Sequence, residues 1–165
     1  MSLSPLDEAL LRRAFAGASA ARARGDRPFA AVIASADGAV LAEAGSTQGT
    51  GGGGPLAHSE MNALGRVIRQ GIPRAELARA TIYSSGEPCA MCAAAIFYAG
   101  IGRVVYGLSA GAILALRNAQ PHTAGLALSC RAVLASAAAP PDVVGPCLEE
   151  EGALPHREYW VPGAP

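Results

Sequence analysis

The chain contains no lysine; all 13 of its basic residues are arginine, and 13 acidic residues balance them. A net charge of zero leaves no electrostatic footprint for a polyanionic partner, so nucleic acid is not an expected ligand. Charged residues are only 16% of the sequence, below the usual quarter. With so much alanine, glycine and arginine, this composition reads as GC-biased coding more than as function. No run of about twenty apolar residues is present, so no membrane span is expected. The first residues lack the basic-then-apolar order of a secretory signal, and Asp7 and Glu8 argue against a transit peptide. Cysteines are few, four in all. Without a signal they fit a reducing compartment, and a cytoplasmic location is expected. There a C-x-x-C pair is more often metal-binding or catalytic than a disulfide. No internal repeat or second domain is visible. The 165 residues predict one domain, with 140–165 as a C-terminal tail or lid segment.

The pattern along the chain mixes helices and strands. Ser4 to Arg24 reads as an amphipathic helix with Ser4, Pro5 and Asp7 at its start and Gly25 as its stop. Phe29 to Ser35 is an apolar, β-branched run. Asp37-Gly38 marks a hairpin turn to a partner strand over Val40 to Ala44. Ser46 to Pro55 is a polar loop ending in four glycines; no G-K-[ST] follows, so it is no phosphate loop, and a flexible lid or plain linker is expected. Ala57 to Gln70 reads as a helix, Ala80 to Ser85 as a strand, Cys89 to Tyr98 as a helix and Arg103 to Tyr106 as a strand. The last three form a βαβ unit, which predicts parallel pairing of its two strands. Beyond them, helices are expected over Ser109 to Asn118 and Leu126 to Ala137, and a weak strand over Asp142 to Val144.

Two short motifs carry chemistry. Ala57-His58-Ser59-Glu60 places an imidazole and a carboxylate at a helix entry, where side chains two apart can still converge. About thirty residues later, Glu87-Pro88-Cys89-Ala90-Met91-Cys92 places two thiols on one face of a helix start. Proline costs no hydrogen bond there, and the positive helix end favours thiolates. One imidazole and two thiolates supply three zinc ligands and leave a fourth position open, which is the pattern of catalytic zinc. Cys130 and Cys147 match no motif position, yet either could close the site as a fourth ligand.

H-x-E followed by P-C-x-x-C is the signature of zinc deaminases, and from about Phe29 to Leu108 the sequence resembles the cytidine deaminase-like superfamily. It is most similar to the branch that holds guanine deaminase, cytosine deaminase and the tRNA adenosine deaminases. The resemblance implies a three-layer α/β/α sandwich around a mixed five-stranded sheet. It implies one Zn2+ per chain on His58, Cys89 and Cys92, with Glu60 as a proton shuttle that is not a ligand. The Cys89 backbone N–H is the expected oxyanion donor, and Glu87 is expected to support the site. Phe29, Thr47, Ala57 and Trp160 are the expected substrate contacts, with Tyr159 and Trp160 in a closing C-terminal segment. Relatives usually carry Asn where Thr47 stands and often Asp-Pro-Thr where Gly54-Pro55-Leu56 stands, so substrate identity does not carry over directly.

The resulting expectation is hydrolytic deamination of a nucleobase or related amino-substituted heterocycle, guanine first and cytosine next. A homodimer is expected, with its interface on the apolar helix Ala93 to Tyr98. The alternative within the family is a tRNA adenosine deaminase, which the neutral charge and acidic Glu149-Glu150-Glu151 disfavour. Outside it stand a thioredoxin-like thiol pair, which would leave His58 and Glu60 idle, and a non-catalytic zinc-binding interaction module, which needs a closed four-ligand site.

Overall fold

Ala30–Ala34 is apolar throughout, and all five residues are buried. A strand without polar alternation belongs inside a sheet covered on both faces. In the computed structural model, which describes residues 3–49, 52–117, 126 and 128–160, this run is β1. It lies between β2 (Val40–Gly45) and β3 (Thr81–Gly86), antiparallel to both. β4 (Arg103–Leu108) runs parallel to β3, as the βαβ reading requires, and β5 (Asp142–Val144) runs parallel to β4. The sheet is mixed and five-stranded, in the order β2-β1-β3-β4-β5.

The two-residue period of the strands divides the core. Ala31, Ile33, Ile82 and Val104 face one side; Val32, Ala34, Tyr83 and Val105 face the other. α1 (Pro5–Ala23) covers the second side with Leu10, Leu11, Ala14 and Phe15. α2 (Ser59–Arg69), α4 (Ala90–Ala99) and α6 (Cys130–Ala135) cover the first with Ala63, Leu64, Val67, Ala93, Ile96 and Leu134. This is the expected three-layer α/β/α sandwich.

The start of α1 is fixed twice. Ser4 Oγ accepts the Asp7 N–H at 3.1 Å and Asp7 Oδ2 accepts the Ser4 N–H at 3.0 Å, a capping box. Asp7, only 6% exposed, also accepts from Tyr83 Oη at 2.9 Å and pairs with Arg103 at 2.6 Å, which ties the helix to β3 and β4. Burial alone would raise this carboxyl, but the bonds from Arg103, Ser4 and Tyr83 outweigh it and hold it well below the carboxylate range.

Several boundaries differ from expectation, each for a local reason. α2 begins at Ser59 because His58 is its N-cap, with extended backbone. The helix expected over Leu126 to Ala137 shortens to α6, whose N-cap Ser129 accepts from the Ala132 N–H. A four-residue helix, α3 (Arg74–Leu77), was not foreseen; it is too short to show a period. After α5 (Ala110–Leu116) the expected helix reaches Asn118, outside the described residues. The tail forms α7 (Glu149–Ala153) and a single 3-10 turn (Leu154–His156). In the glycine loop, Gly51 is outside the described residues, but Gly53 is no plain linker. A Cβ there would collide with Ala57 Cβ and with Thr47, so glycine permits a close approach of the two segments. Among the described residues, no helix is long and apolar enough to cross a membrane.

Candidate active site

α2 and α4 share one layer of the sandwich, and their N-termini come together beyond the end of β3. His58 is the N-cap of α2 (φ −67°, ψ 153°) and Cys89 is the N-cap of α4 (φ −65°, ψ 169°). Neither side chain caps its own helix, so imidazole and thiol are free to face one another. Cys92 stands one turn into α4 on the same face. His58 Nδ1 lies 3.7 Å from Cys89 Sγ and 3.5 Å from Cys92 Sγ, and the three atoms fall within 4.8 Å of one another. Among the described residues, no other three His, Cys, Asp or Glu side chains converge in this way. Cys130 is buried in the core beneath α6, and Cys147 packs in the cluster under α1; neither joins the group.

The thiols divide one proton between them. Cys89 is pulled down to about 4, first by the Cys92 S–H that it accepts and then by His58, against its burial. Cys92 is pushed up, first by that same bond and then by burial. His58 is raised, chiefly by its contact with Cys89. A soft nitrogen and sulfur set with one thiol already ionised is the donor chemistry that zinc prefers. Glu60 stands outside the set, 6% exposed in the first turn of α2. Its Oε2 accepts from Ser59 Oγ at 2.9 Å and its Oε1 from Ser84 Oγ at 3.2 Å. Burial is the main cause that pushes this carboxyl upward.

Glu87 joins loops. Its Oε2 accepts the N–H of Ala110 at 2.9 Å and its Oε1 the N–H of Cys130 at 3.0 Å, so one carboxylate caps the starts of α5 and α6.

A cavity of about 410 Å³ opens on this cluster, lined by Phe29, His58, Glu60, Glu87 and Cys89 of the expected residues. Its outer wall comes from Ile113, Leu114 and Arg117 at α5, from Leu126 and Leu128, and from Arg27 and Gln48. Thr47 and Ala57 do not line it. Thr47 Oγ1 accepts from Asn62 Nδ2 at 3.1 Å and faces a separate, larger hollow of about 720 Å³ over β2, away from the thiols. Ala57 is buried, and its carbonyl accepts the Thr47 N–H. Trp160 stands behind Phe29 at 6.4 Å between ring centroids, donates Nε1–H to His156 Nδ1 at 3.2 Å, and meets Tyr159 edge-on. It supports the wall instead of forming it. Sequence reasoning missed Arg27, Gln48 and Arg117. Gln48 adjoins a flagged position and Arg27 lies two residues before Phe29, but nothing local marks Arg117; only the return of α5 over the pocket brings it in.

Residues 4–108 match the family described as the cytidine and deoxycytidylate deaminase zinc-binding region. The chain is 35% identical over 161 residues to the "Probable cytosine deaminase" of Schizosaccharomyces pombe, covering 98% of this chain and 96% of that one. It is similar, at TM-score 0.69 and 29% identity, to a structure from studies of A-to-I editing by tRNA:A34 deaminases, over 88% of this chain and 97% of that one. A mutant of NE0047 in complex with 8-azaguanine shares the fold at TM-score 0.79 and 21% identity, over 93% of this chain and 83% of that one. A matching signature over most of the sheet and a relative aligned almost end to end agree with the sandwich and the clustered helix starts: the chain belongs to the cytidine and deoxycytidylate deaminase family, enzymes that act on amino-bearing heterocycles.

Proposed function

We propose that this protein is a zinc-dependent aminohydrolase that removes the amino group of a small free base, with cytosine and guanine as the leading substrates. The observation that carries the reading is the convergence of His58 Nδ1 with Cys89 Sγ and Cys92 Sγ at 3.7 and 3.5 Å, beside a buried carboxylate that is not part of the set. His58, Cys89 and Cys92 would hold one zinc per chain. Bound zinc supplies a Lewis acid that brings water to a pKa near 7. Glu60 takes the proton of the attacking water, passes it to a ring nitrogen, and delivers a second to the departing amine. Its burial favours the protonated form needed for that delivery, and Ser59 and Ser84 hold both oxygens in place. The Cys89 N–H at the start of α4 faces the developing oxyanion. Phe29 supplies an apolar wall for the ring.

Near-full-length likeness to a cytosine deaminase supports cytosine ahead of guanine. Zero net charge supports a small substrate over tRNA. The test is an ammonia-release screen of zinc-loaded protein over cytosine, guanine, isocytosine, adenine, their nucleosides, aminated triazines and tRNA. Release from a free base is the expected result. Inosine formation in tRNA without release from any base would replace this reading with the tRNA one.

A further inference from the structure

The outer half of the 410 Å³ cavity carries two arginines, Arg27 and Arg117. Among the described residues, no carboxylate lies within ion-pair distance of either one. The two carboxylates that also line the cavity are committed: Glu60 to Ser59 and Ser84, Glu87 to the N–H groups of Ala110 and Cys130. Arg117 lies flat against Trp160, its guanidinium carbon 4.7 Å from the ring centroid, which aims it without neutralising it. Its Nε is buried and has no hydrogen-bond partner. Behind it, the His156 Nε2 is also buried and unpartnered, while its Nδ1 accepts from Trp160. With Nδ1 as acceptor, the proton sits on Nε2, so that group too is a donor without an acceptor.

Buried donors without acceptors cost about 1–3 kcal/mol each, and an uncompensated half-buried charge costs more. Arg27 and Arg117 also repel one another, and both burial and that repulsion lower Arg117. A fold tolerates such a group where a ligand completes it. A guanidinium fork is the side chain that best matches a carboxylate or phosphate.

We propose that the substrate carries an anionic group, carboxylate or phosphate, beside its amino-bearing ring, and that Arg27 and Arg117 hold this group at the outer end of the cavity. The proposal rests on the reading of the pocket as a deaminase site, with the ring toward Phe29 and Glu60. It adds a charge that a bare cytosine or guanine lacks. Small anions are favoured over RNA because only these two cations line the cavity and the chain as a whole is neutral.

The test uses zinc-loaded Glu60→Gln protein, in which binding is read without turnover. Calorimetry compares cytosine with cytosine 5-carboxylate, and cytidine with cytidine 5′-monophosphate. The expected result is that the charged member of one pair binds at least about 10-fold tighter than its neutral partner. The pair that responds tells carboxylate from phosphate. That ratio should fall toward one in Arg117→Gln and in Arg27→Gln, and only part of it should survive in Arg117→Lys. Charged and neutral members that bind within about 3-fold in both pairs would overturn the proposal, and so would a preference that persists in both glutamine variants. An RNA stem-loop that binds more tightly than the mononucleotide, with steep salt dependence, would assign the phosphate to RNA and also overturn it. Ammonia release by the parent protein is a separate readout, so failure of the deaminase reading and failure of the anion preference appear in different measurements.

Discussion

The hydroxyl of Ser84 on β3 donates to Oε1 of Glu60 on α2 at 3.2 Å, so the sheet itself positions the carboxylate assigned to proton transfer. Glu60→Gln keeps the shape and an acceptor but cannot take up and return a proton. Turnover should fall by at least about 10²-fold while zinc content stays near one per chain. Ammonia release and metal analysis on one preparation check this. A helix cap alone is worth about 0.5–2 kcal/mol of stability and nothing specific in rate. A variant that is less stable but turns over normally would leave Glu60 as a cap.

Cys89→Ser replaces the ionised thiol of the pair with a poor zinc ligand. The variant should lose most of its zinc and melt at lower temperature, because the ligands join the starts of α2 and α4. Chelation of the parent should lower its melting temperature in the same direction, and chelated Cys89→Ser should show little further change. Full zinc occupancy in the variant would remove Cys89 from the ligand set.

Glu87 offers a contrast within the same loop. Because it caps two helix starts, Glu87→Ala should cost roughly 1–3 kcal/mol in chemical denaturation. Glu87→Gln keeps one acceptor oxygen and should cost less. A large loss of kcat at unchanged stability would instead place Glu87 in the chemistry.

His156 predicts a pH signature. Burial first, then Arg117 and Arg22, push its folded pKa from 6.5 down to about 4. Between those values the unfolded chain binds the proton and the folded chain does not, so stability rises with pH across this window. It should fall by up to roughly 3 kcal/mol as pH drops from 6.5 to 4. His156→Gln keeps an acceptor for Trp160 and should flatten that slope, measured as urea unfolding of metal-free protein across the window. Asp7, whose folded pKa is depressed, contributes stability above its ordinary 3.8 that is lost only at lower pH, so the two groups separate.

The homodimer expected from α4 has a physical marker. Tyr98 is 77% exposed and meets Phe97 edge-on at 5.5 Å, at the end of a helix with no charged residue. Light scattering at micromolar concentration should give a dimer for the parent and a monomer for Tyr98→Glu. A monomeric parent would count against this interface.

The sequence alone determined the fold class and the metal-binding set. Strand patterns are local, with every residue from Ala30 to Ala34 apolar, and so are helix signals such as Ser4, Pro5 and Gly100. His58, Cys89 and Cys92 could be read because each motif sits at a helix start, where spacing fixes direction. The outer pocket was decided only in three dimensions. Thr47 and Gln48 are neighbours in one loop, yet they face different cavities, because the Ala57 carbonyl and Asn62 draw Thr47 toward β2. Arg117 comes to the site through the return of α5, and Trp160 stops behind Phe29 because His156 fills the space between them. Side-chain direction in a loop follows from contacts made across the fold, and no spacing in the chain encodes those contacts.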